Sequence, residues 1–339
     1  MRFIDRLLKR QDPPIVQIEL AGKCTANCEF CDWTTRPKSE MIFMETVLAK
    51  KAVREAGILK SPHVSFHVTG ESLDHPDFLN ILPHDMNIGL STNCLSLEGH
   101  IADYLAEMPN INIILAILWA ESGRKRMQSI LNAREFLERN PVCKTISVQM
   151  VCSEHATPYA GDMKEVFSPF LGMLPQMQLF YKQPYTQEPN YYSKNVVPIL
   201  GYIPEGIHES ARIHVDHMAT PVSCGNDCLA FSPNPMSSIL VQADGTIKPC
   251  FYRWPFWGLG NIRDTTLMDA WHSERLKEIR RIWYTGDPDN KQACHDCIRM
   301  VVPRGEPPWW VHGNTPPTTL DESQALKGDP SNAYPKPME

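Results

Sequence analysis

The chain has 339 residues, of which 42% are hydrophobic and 21% are charged, and its net charge is −6. This composition is typical of a globular protein with one large domain, or with a large and a smaller one. The chain has no long basic run, so nucleic acid is not an expected partner. The longest apolar run, 113–120, is too short to cross a bilayer. Residues 1–10 contain charges that break the apolar core of a signal peptide, so we expect them to form a docked N-terminal helix. We therefore expect a cytoplasmic protein with no membrane partner.

Strands and helices alternate along the first half of the chain. Apolar runs predict strands at 15–22, 63–71, 86–93, 111–119, 144–152 and 176–182. Helical periodicity and stop signals predict helices at 44–57, 75–82, 97–108, 124–140 and 162–173. Several strands are apolar on both faces, which is typical of a parallel sheet covered by helices. The predicted fold class is therefore α/β: a partial (β/α)6 TIM-like barrel followed by a small C-terminal α+β domain.

The alternation stops near residue 183, where the character of the sequence changes. Asp244 and Gly245 predict a hairpin turn between two short strands, and 266–283 has the pattern of an amphipathic helix. The Pro-rich C-terminus predicts an extended tail. The predicted units are a barrel at 1–183, a connector at 184–222, a second domain at 223–305 and a tail at 306–339.

The chain has 11 cysteines and no export signal, which favours metal ligation or redox chemistry over disulfides. Cys24, Cys28 and Cys31 follow the first strand with the spacing C-x3-C-x2-C. Three thiolates are one short of a closed tetrahedral zinc site. They suit a [4Fe–4S] cluster, in which three irons each take a thiolate and the fourth stays open for a cofactor or substrate. A zinc site with one remote ligand is the alternative. The candidates for that ligand are His63, His67 and Asp32.

A second group of cysteines lies in the C-terminal third of the chain. Cys224 and Cys228 precede the predicted hairpin, Cys250 follows it, and Cys294 and Cys297 form a C-x2-C pair beyond the predicted helix. Four of these five suffice for one closed [4Fe–4S] cluster. A structural zinc ribbon is the alternative that the residues alone leave open.

The first cysteine motif, with Phe30 just before its third cysteine, resembles that of the radical S-adenosylmethionine (SAM) superfamily. The segment TGESLDHPDF resembles that family's Gly-Gly-Glu-Pro segment, with Gly70 and Glu71 in the Gly-Glu places, although the residues on either side depart from the pattern. The resemblance implies that Glu71 accepts a hydrogen bond from the amino group of SAM. A helix-capping carboxylate is the alternative role.

The segment LSTNC resembles the Thr-Asn-Gly end of the family's third strand, with Cys94 in the glycine place. Ser91 and Asn93 in this segment, and Gln149 on the fifth predicted strand, are further expected cofactor-binding positions. The resemblance covers residues 12–182. It implies that SAM chelates the open iron, that its C–S bond is cleaved by one electron, and that a 5′-deoxyadenosyl radical abstracts hydrogen from the substrate.

The C-terminal arrangement of cysteine, hairpin, cysteine, helix and C-x2-C resembles a twitch domain, a shortened form of the SPASM domain. The resemblance implies one closed auxiliary cluster held by Cys250, Cys294, Cys297 and a fourth cysteine. We expect Cys228 rather than Cys224 as the fourth ligand because it is nearer the hairpin. The expected cofactors are therefore two [4Fe–4S] clusters and SAM.

The resemblance also implies a small-molecule substrate and an external reductant such as flavodoxin or ferredoxin. Relatives with one closed auxiliary cluster include dehydrogenases of aminocyclitols in antibiotic biosynthesis, so oxidation of an alcohol to a carbonyl is the favoured reaction. Lys182, at the end of the sixth predicted strand, is the candidate base. A radical epimerase, with Cys224 as hydrogen donor, and a maturase for a ribosomal peptide are alternatives. A zinc- or iron–sulfur-binding electron carrier, which would not cleave SAM, is the non-enzymatic alternative.

Overall fold

The computed structural model describes residues 13–26, 28, 31, 38–66, 68, 70–121, 123–151, 155–182, 213–215, 238–249 and 258–285. The strands within these residues are β1 (Ile15–Ile18), β2 (Val64–Phe66), β3 (Ile88–Thr92), β4 (Ile111–Ala116), β5 (Thr145–Val151), β6 (Met177–Lys182), β7 (Ile213–Val215), β8 (Ser238–Val241), β9 (Thr246–Lys248) and β10 (Gly260–Asn261). The α-helices are α1 (Thr46–Ile58), α2 (Phe78–Ile81), α3 (Gly99–Ala106), α4 (Gly123–Glu138), α5 (Ala160–Met173), α6 (Leu267–His272) and α7 (Glu274–Thr285). None of the helices in this part of the chain is long and apolar enough to cross a membrane.

The described strands form one open sheet in the order β10-β9-β8-β1-β2-β3-β4-β5-β6-β7. Neighbouring strands from β8 to β7 pair in parallel, whereas β9 and β10 add antiparallel strands beyond β8. Because the strands run parallel, their carboxyl ends meet at one edge of the sheet, where ligands bind in folds of this class.

The helices cover one face of this sheet. Buried and half-buried residues alternate along β3 and β4. The buried ones, such as Leu90 and Ile113, belong to one core cluster with Leu105 of α3 and Phe136 of α4. Burying each side chain of this kind stabilises the fold by about 1.5–3 kcal/mol. The opposite face, here called the inner face, carries the alternate positions of the same strands.

The predicted α/β partial barrel is confirmed, and two strands beyond the expected six, β7 and β8, extend its sheet in parallel. Strand β7 lies inside the segment predicted as a connector. Its sequence, Ile-His-Val, is too short and too mixed in polarity to give an apolar run. The predicted N-terminal helix and C-terminal tail lie outside the described residues.

The predicted hairpin is confirmed as β8 and β9, but it does not form a sheet of its own. Strand β8 pairs with β1 along the whole of β1, from Ile15 opposite Ser238 to Ile18 opposite Val241. The C-terminal part of the chain therefore shares the barrel's sheet. Where one domain ends and the next begins stays a prediction.

Most predicted helix boundaries shift by one to three residues, and two of the differences have a clear local cause. Gly57, the expected end of the first long helix, lies inside α1, and Lys60 beyond the helix adopts the left-handed backbone with φ 57°. The helix expected at 266–283 is two helices, because the chain is extended at Ser273. The hydroxyl of Ser273 accepts a hydrogen bond from the backbone N–H of Leu276 at 3.1 Å, which caps the start of α7.

Helix α1 holds the C-terminal segment against the barrel. Glu55 is buried and accepts a hydrogen bond from the backbone N–H of Leu267 at 2.6 Å. Leu267 is the first residue of α6, whose N–H groups have no partner within the helix. At the exposed rim, Arg263 donates to both carboxylate oxygens of Glu45, at 2.7 and 3.2 Å, and the ammonium of Lys51 donates to the carbonyl of Arg263 at 3.2 Å.

Replacing Glu55 with alanine is expected to lower the free energy of unfolding by about 1–3 kcal/mol, because the N–H of Leu267 then loses a charged partner in a buried place. The matched control is Glu45→Ala, which breaks an exposed pair and should lower the free energy of unfolding clearly less. Urea unfolding of the two variants measures both values. Equal small losses would show that the Glu55 contact does not hold α6.

Candidate metal centre

The cysteine loop leaves the carboxyl end of β1. Its entrance is fixed by the backbone, where the N–H of Gly22 donates to the carbonyl of Ile42 at 2.7 Å. Cys24, Cys28 and Cys31 are all half-buried thiols. The N–H of Cys31 donates to the carbonyl of Cys28 at 3.1 Å, so the last two cysteines are joined by a tight turn.

The three thiols affect one another's ionisation. The pKa values of Cys24 and Cys28 are both raised to about 12, chiefly by burial and in smaller part by Coulombic interaction with Cys31. The carboxylate of Glu71 also contributes to the raised pKa of the Cys24 thiol. Thiols grouped in this way resist deprotonation until a cation neutralises them, and soft metals bind thiolates and release their protons. The donor set therefore fits a thiolate-bound iron–sulfur or zinc group.

The zinc alternative has one remote candidate ligand, His63, among the described residues. Within the described part of the chain, no three His, Cys, Asp or Glu side chains converge on a single metal ion. Ligands of a [4Fe–4S] cluster need not converge, because each thiolate binds a different iron. His63 directly precedes β2, and β2 pairs in parallel with β1, so His63 lies at the opposite edge of the sheet from the cysteine loop. His67 and Asp32 lie outside the described residues.

Gly70 lies directly against the entrance of the cysteine loop. A side-chain Cβ at this position would be 2.0 Å from the carbonyl oxygen of Ala21 and 2.6 Å from that of Lys23. Gly70 also has φ 76°, a backbone conformation that glycine adopts at little cost. The next N–H, of Glu71, donates to the carbonyl of Lys23 at 2.8 Å. The segment after β2 is thus locked onto the cysteine loop, and only glycine fits at the contact.

Glu71 joins the ends of β2 and β3. Its side chain is 2% exposed, and its two oxygens accept hydrogen bonds from the N–H groups of Leu73 at 3.1 Å and Asn93 at 2.7 Å. The first bond caps the 3-10 turn Ser72–Asp74, so the capping role that the sequence left open is present. Burial raises the pKa of Glu71 to about 7, although the two N–H donors oppose the shift. Its contact with SAM stays a prediction.

Asn93 carries this network to the cysteines. Its side-chain amide donates to the sulfur of Cys24 at 3.5 Å, and its amide oxygen accepts from the N–H of Leu95 at 2.9 Å. The carbonyl of Asn93 accepts from the hydroxyl of Ser129 at 2.7 Å. Asn93 is therefore placed by its backbone and contacts the cysteine loop through its amide.

Cys94 has the backbone that the resemblance assigns to glycine. Its φ is 67°, its side chain is buried, and its carbonyl accepts from the amide of Asn132 at 2.9 Å. Asn132 and Ser129, both on α4, hold this turn, and the sequence analysis missed them. Two polar residues on the buried face of an amphipathic helix were the available signal, because buried polar groups need partners.

The other predicted site residues are placed less completely. Ser91 and Gln149 are half-buried, on β3 and β5, and Lys182 is the last residue of β6. Cys224, Cys228, Cys250, Cys294 and Cys297 lie outside the described residues.

A cavity of about 660 Å³ opens beside Cys24, a volume in the range of small-molecule sites. The ammonium of Lys23 lies 4.9 Å from the ring centroid of Phe43 at its wall. The hydroxyl of Ser96 donates to the carboxylate of Asp74 at 2.5 Å on the opposite side. The remaining lining residues are Thr25, Met41 and Leu73.

Replacing Gly70 with alanine is expected to displace the cysteine loop, since the new methyl group would overlap the carbonyl of Ala21. We expect a loss of at least about 2 kcal/mol in the free energy of unfolding and a loss of bound iron. The control is Gly161→Ala in α5, where nothing lies within 4 Å of the added methyl group. Urea unfolding and iron analysis measure both. Normal iron content in Gly70→Ala would contradict the close approach.

The C-terminal part of the chain matches a known family. Residues 228–298 match the SPASM family, an iron–sulfur cluster-binding domain. The matched range contains Cys228, Cys250, Cys294 and Cys297, and it begins after Cys224. No curated protein matches the chain.

Solved structures share the fold at low sequence identity. Streptococcus suis SuiB bound to S-adenosylmethionine matches with a TM-score of 0.60 and 15% identity, over 82% of this chain and 71% of SuiB. SuiB bound to the precursor peptide SuiA matches with the same TM-score and 14% identity, over 82% of this chain and 70% of that one. Native anSMEcpe with bound AdoMet has a TM-score of 0.56 and 17% identity, over 80% and 84% of the two chains. These findings confirm the predicted resemblance: the chain shares the fold of solved structures that bind S-adenosylmethionine, and residues 228–298 match the SPASM iron–sulfur cluster-binding domain.

Proposed function

We propose that this chain is a radical SAM enzyme whose first cluster is held by Cys24, Cys28 and Cys31. The observation that carries the proposal is the connected group at the carboxyl edge of the sheet. Gly70 packs on the cysteine loop, Glu71 binds Asn93, and the Asn93 amide contacts the Cys24 sulfur. The first of the three thiols is thus anchored near a buried carboxylate, where a cluster with one open iron would meet SAM.

The chain's own residues position and screen this site. When bound, the reduced cluster and SAM supply a 5′-deoxyadenosyl radical. Glu71 is buried, and its carboxylate already accepts two N–H bonds that fix its orientation. The carboxylate lone pairs that these bonds leave over are suited to accept a hydrogen bond from the ammonium group of SAM. The side-chain amide of Asn93 donates a hydrogen bond to the Cys24 sulfur. Such a bond stabilises the thiolate form.

We further propose that the reaction oxidises an alcohol of a small polar substrate to a carbonyl. The substrate loses a hydrogen atom from carbon, a proton from oxygen and one electron. The net balance is one SAM consumed for one carbonyl, one 5′-deoxyadenosine, one methionine and one proton. The SPASM match supports an electron acceptor, because it spans all four predicted ligands of the auxiliary cluster. Lys182 is proposed as the base from its position at the carboxyl end of β6.

Peptide modification is the second candidate. It is favoured by one observation: SuiB, which shares the fold, has been seen bound to its precursor peptide SuiA. Both candidates require an external reductant, for which a flavodoxin or ferredoxin is proposed. The two candidate functions differ in their substrate, which is a small polar molecule in the first and a peptide in the second.

Iron content and SAM cleavage test the proposal together. Anaerobically prepared protein should hold about eight irons. The combined Cys24→Ala, Cys28→Ala and Cys31→Ala variant should lose about half of them and form no 5′-deoxyadenosine. The control is Cys143→Ala, a buried cysteine outside both groups, which should keep iron and activity. Near-stoichiometric zinc with little iron in the wild type would refute the proposal.

Cys224 distinguishes dehydrogenation from epimerisation. In a dehydrogenase this thiol has no chemical role, so Cys224→Ala should keep its iron and turn over at a near-normal rate. In an epimerase it would return hydrogen to the substrate, and the same variant would form 5′-deoxyadenosine without product. Mass spectrometry of product formed in deuterated water provides the second readout. Deuterium at a stereochemically inverted carbon would favour epimerisation.

A further inference from the structure

The inner face of the sheet carries polar side chains in register. Parallel pairing aligns neighbouring strands into rows, and alternation puts every member of a row on the same face. The first row is Gln17, Ser65, Gly89, Asn112 and Thr145. The second row, nearer the carboxyl edge, is Ser91, Ile114, Ser147 and Gln178. No member of either row is charged.

One buried polar group in these rows has no hydrogen-bond partner among the described residues. Ser147 is 6% exposed, and its hydroxyl makes no hydrogen bond within that part of the chain. Its neighbours along β5, Ile146 and Val148, belong to the core cluster beneath the helices, so Ser147 lies on the inner face. A buried hydroxyl without a hydrogen-bond partner is destabilising. Such a group needs an explanation, and a bound ligand is one.

The nearest polar groups of the first row are satisfied. The hydroxyl of Thr145 donates to the amide oxygen of Asn112 at 2.9 Å, and the amide of Asn112 donates to the carbonyl of Ile88 at 3.2 Å. Thr145 is two residues before Ser147 on the same strand and face. The missing partner is therefore specific to the second row and is not a general feature of the inner face.

We propose that the Ser147 hydroxyl and the Gln178 amide bind an uncharged hydroxyl or amide group of the substrate. Gln178 is the direct register partner of Ser147 and is half-buried. The flexible side chain of Gln178 can rotate to contact the same ligand group as the hydroxyl, a change that is common on binding. A carboxylate, phosphate or ammonium group would find no opposite charge in this row, and an unpaired buried charge is costly.

The positions of Ser147 and Gln178 point to substrate rather than SAM. Ser91, an expected cofactor-binding residue, is the member of this row on β3, the strand that leads to Asn93. Ser147 and Gln178 lie on β5 and β6, two and three strands further along the sheet, so the group that they bind is assigned to the substrate. This inference rests on the proposed function and deepens it by naming the kind of group that the enzyme holds in its barrel.

The test compares Ser147→Ala and Gln178→Ala with the control Thr145→Ala in the reconstituted holoenzyme. A heat-clarified extract of the native host serves as the substrate source, and 5′-deoxyadenosine release is followed against the amount of extract. We expect both test variants to raise the half-saturating amount by about 2- to 10-fold, as for loss of one hydrogen bond. The control should change it less than 2-fold, and the dissociation constant for SAM should stay unchanged in all three variants.

Stability gives an independent readout that needs no substrate. Because the hydroxyl has no partner in the free protein, Ser147→Ala should not lower the free energy of unfolding. A clear loss of stability would show a structural partner and overturn the assignment. An unchanged half-saturating amount, or weaker SAM binding instead, would also overturn it. Wild-type protein that never forms 5′-deoxyadenosine from SAM would instead refute the proposed function itself.

Discussion

The contact between Gly70 and the entrance of the cysteine loop is the constraint on which the rest of the site depends. The backbone there approaches so closely that no Cβ fits against the carbonyl of Ala21. This approach sets the position of Glu71, and Glu71 in turn holds the N–H of Asn93. Asn93 contacts the sulfur of Cys24. Three loops that follow different strands are thus joined by short contacts into one rigid group, which is what a site with a reactive cofactor requires.

Strand β1 and helix α1 connect the first cysteine loop with the C-terminal segment. Strand β1 leads directly into the first cysteine loop, and its whole length pairs with β8, the first strand of the hairpin that precedes Cys250. Helix α1 follows the first cysteine loop and holds α6 through Glu55. The C-terminal segment is therefore attached at both sides of the cysteine loop.

Much of the barrel could be predicted because its strands are apolar runs between helices of clear periodicity. The strand β7 could not, since three residues with a central histidine give no such run. The break at Ser273 was missed because both α6 and α7 continue one amphipathic pattern across it. Pairing of β8 with β1 is a long-range choice that depends on the whole sheet, and no local pattern encodes it.

The residues of the candidate site also fall into those that local sequence motifs predict and those that only the folded structure reveals. The cysteine spacing and the Gly70–Glu71 pair are local motifs, so the sequence was sufficient to find them. The support that α4 gives through Ser129 and Asn132 depends on tertiary packing and emerged only from the structure. The unpaired hydroxyl of Ser147 likewise has no sequence signature, because a serine in a strand is equally compatible with a satisfied partner.

Binding of SAM to the open iron is the central claim, and it can be observed directly. The measurement is electron–nuclear double resonance on the reduced cluster of the anaerobic protein, with SAM labelled with 15N at its amino group. The account predicts a 15N coupling to the cluster signal, present in the wild type and weakened in Glu71→Ala. A reduced cluster whose spectrum shows no 15N coupling at saturating SAM would contradict it.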